Sequence, residues 1–345
     1  MYTAVIIDDD QELIKKCKAA KSTPHGCYSS LTEKTNMAEK YNQSNLNEID
    51  QILVEPPAFN TNEPNPDDDI MKWAEKNIDE NPNLKLQLIE ELRDMIFEKG
   101  ECEPERIDDA YLLRFLRARH FIVRMAHRLI VNHCNFKESY PEFFTDLNYD
   151  KLCEIGDSEI FSIPPYVDQD GRRMLIVRFG KWNPAKISTN ELFQSIIMML
   201  HMAVLEPSFQ ILGGICIIDA ADISTGQAWY LTPTIVNHIL AVAYGAFPHR
   251  IQALHIVNAS RIFDYALGMI RPFLSDVMKE RMFFHSDMES LHQHIDPKYL
   301  PKRYGGVHKD YFYNDWLAAI KKCDHLLDEL ESSGYEGSKK FIQSM

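Results

Sequence analysis

Between residues 70 and 140 the apolar positions recur at helical spacing. Leu84, Leu88, Leu92 and Met95 fall on one stripe of a helix that Asn81 can cap, with Pro82 in its first turn and Gly100 as its stop. A second helix is predicted after Asp108, with Leu112, Phe115 and Leu116 turned inward. A third runs over residues 124–139 and ends before Pro141. Three short helices with tight connections make a small helical module over residues 71–145. Arg114 and Arg117 share a face of its second helix, and Arg117 is expected to pair structurally across to the next domain.

After Asp150 the period changes. Residues 173–179 read as a strand behind a turn at residues 168–171. Ser188 and Glu191 form a capping box for a helix reaching Leu205. A continuous apolar strand over residues 214–219 follows, then a helix over 232–246, a buried strand over 251–258 and a short strand at 281–284. Strands alternating with helices predict an α/β domain with a mixed, mainly parallel sheet. An amphipathic helix over residues 311–331 is expected to pack outside it.

Two helices are too apolar for an ordinary amphipathic role. In residues 192–205 only Gln194, Ser195 and His201 are polar, so this helix is buried all round or faces a cavity. In residues 262–274 one face carries Phe263, Ala266, Leu267, Ile270 and Phe273, while Tyr265 and Met269 lie off it. Pro272 removes the hydrogen bond to the Gly268 carbonyl, so a kink is expected there.

Charge sharpens the picture. The net charge is −14, but residues 1–70 hold 6 basic and 13 acidic side chains, whereas residues 245–309 hold 9 basic and 6 acidic. Residues 1–70, rich in Asn, Asp and Glu, read as a disordered acidic tail with a transient helix near residues 11–20. An acidic chain is a poor ligand for nucleic acid, whose affinity rests on phosphate contacts. The basic sector, with Arg250, Arg261, Arg271, Lys279 and Arg281, suits a solvated face, a membrane surface or a small anionic headgroup. Seven scattered cysteines without a Cys-x-x-Cys pair suit a reducing compartment. The apolar run at residues 2–7 is too short for a signal peptide. Residues 223–249 lack charge but carry too many polar groups and prolines for a membrane span.

Catalytic signatures are missing. Gly213-Gly214 precedes its strand, so it cannot cradle a phosphate at a helix start. Asp219 ends a buried strand as a magnesium-binding acid would, yet no Walker A sequence accompanies it. His292-Gln-His294 lacks metal-ligand spacing, and there is no nucleophile elbow.

The run Phe247-Pro248, Ala253-Leu-His-Ile-Val-Asn258, Ile270-Arg-Pro-Phe-Leu274, Lys279-Glu-Arg281, Ser290-Leu-His292, His294-Ile295 and Leu300-Pro-Lys-Arg-Tyr-Gly-Gly306 resembles the CRAL-TRIO lipid-binding family. The resemblance is to the branch of alpha-tocopherol transfer protein and cellular retinaldehyde-binding protein. Leu112-Leu-Arg-Phe-Leu-Arg-Ala-Arg119 matches its helical module, so about residues 70–308 are covered.

The resemblance implies a small helical bundle followed by a CRAL-TRIO domain over residues 146–308, with an internal lipid cavity and a C-terminal helix and tail over residues 309–345. The helix at residues 262–274 would be a mobile lid. Pocket positions carried across are Phe193, Ile196, Ile197, Leu200, Ile218 and Trp229, then Ile239, Val242, Phe247, Phe263 and Leu267. Ile196 and Leu200 stand where a tocopherol pocket offers hydroxyls, which argues against tocopherol. A phosphoinositide cleft would use Arg250, Gln252, Gly268, Arg271, Val277 and Arg281, of which Gln252 and Val277 depart from the basic pattern. The function implied is non-enzymatic carriage of a retinoid-, tocopherol- or similar lipid-like molecule, with exchange at phosphoinositide-bearing, for example endosomal, membranes. No metal or cofactor beyond that ligand is expected, and the protein should be a cytoplasmic monomer. A phosphoinositide-binding adaptor without cargo, and an enzyme acting on a hydrophobic substrate, are the alternatives.

Overall fold

The computed structural model of the protein describes residues 66–145 and 149–320. The acidic tail, its helix near residues 11–20 and the chain after Ile320 lie outside these residues.

The helical module has four helices where three were predicted. α1 (Asp68–Ile78) starts inside the stretch assigned to the tail, because the Asp67 carboxylate caps the Asp69 N–H at 2.9 Å and two further acids sit in the first turn. Asn81 caps a turn rather than a helix: its Oδ1 accepts from the Asn83 N–H, and α2 (Lys85–Lys99) begins only after it. Gly100, at φ 57°, closes α2 as its position implied. α3 (Asp109–Ala118) is capped by Asp108, which accepts from the Tyr111 N–H at 3.0 Å. With α4 (Val123–Ser139), these helices bury Leu92, Leu112, Phe115 and Ile130 in one cluster.

The second domain is built on five strands, β1 (Phe161–Ser162), β2 (Arg173–Arg178), β3 (Gly214–Asp219), β4 (Ile251–Val257) and β5 (Met282–Phe284). They lie side by side in chain order, β1 antiparallel to β2 and the rest parallel. β1 and the preceding α5 (Tyr149–Asp157) were not legible, since two residues carry no period. Because parallel crossovers are right-handed and the strands advance in one direction, the connecting helices share a face of the sheet. These are α6 (Thr189–Ala203), α7 (Pro207–Leu212), α8 (Thr225–Ala228), α9 (Pro233–Leu240), α10 (Arg261–Ile270) and α11 (Asp276–Glu280). The predicted single helix to Ala246 is α9 continued as a π turn over Ala241–Gly245. The predicted helix over residues 262–274 stops at Ile270 and tightens into a 3-10 turn, Arg271–Phe273, where Pro272 withdraws a donor.

The other sheet face is sealed by α12 (Met288–His292) and the chain to Tyr304. Leu291, Ile295, Leu300 and Tyr304 pack on Met174, Ile176, Ile215, Ile217, Ala253 and Val257. That return needs its glycines: Gly305 has φ 76°, and a Cβ on Gly306 would lie 1.9 Å from the Leu300 carbonyl oxygen. Asp219 is taken up structurally, accepting from the Tyr304 hydroxyl at 3.0 Å and the Asn258 amide at 2.8 Å. His292 likewise bonds the Tyr304 carbonyl oxygen at 2.8 Å. α13 (Tyr313–Ile320) sends Tyr313 and Leu317 into the main core.

Candidate functional site

A strand with one sealed face must do something with the other. In β3, Ile215 and Ile217 are buried against α12 and the segment after it, whereas Gly214, Cys216 and Ile218 keep solvent-accessible surface in the middle of the molecule. They face a cavity of about 670 Å³, and Leu175, Val177, Leu254 and Met282 line it from neighbouring strands. The void is in the range that encloses a drug-sized molecule.

α6 forms the opposite wall. Ile196, Leu200 and Ala203, at spacings of four and three, face the cavity, while Ile197, Met198 and Met202 on its other side are fully packed. Its Ser188–Glu191 capping box fixes where the helix begins. Ile235 and Ile239 of α9 and Val242 of the π turn continue the wall. The helical module holds that turn: Arg119 donates to the Tyr244 carbonyl, Asn132 to the Gly245 carbonyl, and His133 Nδ1 lies 2.7 Å from the Ala246 carbonyl oxygen.

α10 covers the cavity. Phe263, Ala266, Leu267 and Ile270 line it, followed by Phe273 and Leu274. The outward face carries Arg261, Asp264, Gly268 and Tyr265, the last 70% exposed. Eight of the eleven pocket positions named from the resemblance therefore meet the cavity: Phe193, Ile196, Leu200, Ile218, Ile239, Val242, Phe263 and Leu267. Three do not. Ile197 is turned one helical step from Ile196 into the core, and Phe247 packs edge-on against His133, Phe136 and His201. Trp229 is 84% exposed; its neighbours Gln227, whose amide donates to the Phe179 and Trp182 carbonyls, and Ala228 meet the cavity instead.

The basic positions scatter. Arg250 is buried; its guanidinium donates to the Ile211 carbonyl and lies 5.8 Å from the Trp73 ring of α1, so it is no surface cation. Gln252 donates to the Leu212 carbonyl at 3.1 Å, and Val277 is half-buried. Arg281 is half-buried with one arm on the Ile251 carbonyl. Arg271 and Gly268 are exposed at the end of the lid.

Polar chemistry inside the cavity is sparse. Arg173 and Glu206 pair at 2.9 and 3.1 Å, and Arg173 also donates to the Pro165 carbonyl. Ser275 is spent capping α11. Burial pushes the Cys216 thiol up to about 12, which leaves it a poor nucleophile. His249 also lines the cavity, and nothing in the sequence Phe247-Pro248-His249 had marked it.

A CRAL/TRIO domain model matches residues 157–306. The chain is 32% identical over 254 residues to an "Alpha-tocopherol transfer protein-like" of Mus musculus, covering 73% of this chain and 74% of that one. Against the protein of the same description from Homo sapiens it is 30% identical over 278 residues, covering 76% and 81%. Clavesin-1 of Mus musculus is 31% identical over 261 residues, covering 74% and 73%. A lidded cavity over a sheet in sequential order agrees with similarity that covers 73% of the chain, and the chain belongs to the CRAL/TRIO family.

Proposed function

We propose that the protein is a non-catalytic carrier that encloses one hydrophobic small molecule and exchanges it at membranes. The observation that carries this reading is the lidded apolar cavity, bounded by the sheet, α6, α9 and α10. Enclosing roughly 400 Å² of apolar ligand at ~25 cal/mol/Å² favours binding by on the order of 10 kcal/mol before entropic costs. Escape into water is then slow, and exchange needs a lid that opens against lipid. No helix among the described residues is long and apolar enough to cross a membrane. The relatives described as alpha-tocopherol transfer protein-like support a lipid cargo in general.

Native mass spectrometry of the isolated protein is expected to find a bound lipid. Leu200→Arg places a charge on the cavity wall and should abolish retention while urea unfolding stays cooperative. Undiminished retention of hydrophobic ligands by this variant would remove α6 from the site.

Exchange is proposed to be accelerated by phosphoinositides in an otherwise cytoplasmic protein. Arg271 follows the lid and is exposed, Arg281 ends α11 with one arm on the Ile251 carbonyl, and Arg250, engaged with a carbonyl and Trp73, is left out of the set. Each charge-assisted hydrogen bond to a phosphate is worth ~1.5–3 kcal/mol. Ligand transfer between vesicles is therefore expected to speed up with phosphatidylinositol bisphosphate. Arg271→Ala with Arg281→Ala should remove the acceleration and leave equilibrium affinity nearly unchanged. Transfer indifferent to phosphoinositides at physiological salt would reduce these arginines to a solvated face.

A further inference from the structure

Cys102 and Cys134 stand on either side of α3 in the chain and meet in the helical module. Cys134 lies on α4, buried in the cluster that holds Leu112, Phe115 and Ile130. Cys102, just past the Gly100 stop of α2, packs half-buried against that cluster. The two thiols share a hydrogen bond, and neither is in a disulfide. Burial alone would make them two small apolar groups of a core. A direct thiol–thiol contact with one member reaching solvent adds chemistry, because it is the layout of a redox pair.

The two sulfurs are not equivalent. The hydrogen bond from Cys134 holds the Cys102 thiol below its ordinary value, although burial and the charges of Glu101 and Glu138 oppose it. The same bond, and then burial, pushes the Cys134 thiol up. Cys102 is therefore the accessible sulfur that attacks an oxidant as thiolate, and Cys134 is the protected thiol beside it.

We infer that Cys102 and Cys134 are a peroxide-responsive pair that closes into a disulfide and clamps the α2–α3 connection onto α4. The Cys102 thiolate attacks one oxygen of hydrogen peroxide: an S–O bond forms, the O–O bond breaks, and hydroxide leaves to take up a proton. The Cys134 sulfur then attacks the Cys102 sulfenic acid: the S–S bond forms, the S–O bond breaks, and the hydroxyl departs with the Cys134 proton as water. The thiol pair gives up two electrons, and one hydrogen peroxide becomes two waters. Asn132 and His133 immediately precede Cys134 and bond the Gly245 and Ala246 carbonyls, so the clamp falls on the helix that braces the cavity wall. The inference goes beyond the carrier reading and does not depend on it.

The test exposes the full chain to micromolar hydrogen peroxide, blocks the remaining thiols and maps the protein with trypsin without reduction. Cleavage after Lys99 and Arg106, and after Arg128 and Lys137, isolates the two cysteines on short peptides, residues 100–106 and 129–137. These peptides are expected to be linked, and to separate again in dithiothreitol. The urea midpoint should rise by roughly 1 M on oxidation, as closing a loop of this kind usually gives. With dimedone present, Cys134→Ser should accumulate trapped sulfenic acid at Cys102, and Cys102→Ser should leave Cys134 unreacted. Peptides that stay unlinked in the wild type, or sulfenic acid that forms at Cys134 and not at Cys102, overturn the pair. A link without a rise in the midpoint overturns the clamp.

Discussion

Between pH 6.5 and 4 the protein is expected to lose most of its stability. His133, His201, His249 and His255 are buried, and burial is the first cause holding each below the ordinary imidazole value: His133 and His249 at about 4, His255 at about 3, His201 well below 6.5. Above pH 6.5 neither the folded nor the unfolded chain protonates these rings. Below it the unfolded chain binds the protons first, so stability falls with pH until the folded pKa values are reached. Each net proton is worth about 1.4 kcal/mol per pH unit, so at pH 5 His133, His249 and His255 cost about 2 kcal/mol each, and His201 acts in the same direction. Against a stability of typically 5–15 kcal/mol, their sum is decisive. Asp168 works the other way: burial raises its pKa to about 6, the native state binds its proton first, and it offsets one histidine over the same window. Urea midpoints at pH 7.5, 6 and 5 check this. A midpoint that stays flat down to pH 5 means the rings titrate alike in both states.

Arg117→Ala is expected to cost about 3–5 kcal/mol, the usual loss when one member of a buried ion pair is removed. Arg117 is 3% exposed and grips the fully buried Glu80 with two hydrogen bonds, at 2.9 and 2.8 Å. Its third arm donates at 2.7 Å to Gln210 of α7, whose amide in turn donates to the Val204 carbonyl. One guanidinium thus ties α3 to the segment before α2 and to the cavity domain. The ion pair itself lies within the helical module, and only the Gln210 bond crosses to the domain predicted to supply the partner. Without it the ion-pair partner that the Glu80 carboxylate keeps among the described residues is Lys85, at 3.5 Å. The melting temperature should fall, with ligand preference retained wherever the variant is folded. Arg117→Met combined with Glu80→Gln should recover much of the loss, because no bare charge stays buried. Normal stability with ligand binding lost would make Arg117 a binding residue instead.

What the sequence determined by itself was the local order of the chain. The helix start after Asp108, the Ser188–Glu191 box and the Gly100 stop depend on neighbours a few residues apart, and each stands in the structure as read; of the predicted stripe, Leu84 instead precedes α2 and is 45% exposed, and Ile89, Leu92 and Ile96 are the buried positions. The ordered motifs from Phe247 to Gly306 sufficed to place the chain in its family. Elements held by distant partners were not legible: the two-residue β1, and α1, whose Ala74 and Ile78 are buried against Ile211 and Leu212. The cavity itself was decided only in three dimensions. An apolar residue facing a void and one facing a packed core look alike in sequence, so Ile196 and Ile197 were named together and only the helical rotation separates them. Arg250 read as a surface cation until Trp73 and the Ile211 carbonyl closed over it, and His249 carried no sequence signal at all. Whether a side chain lines a site depends on what lies across from it, and that neighbour is set by the packing of helices and sheet far apart in the chain.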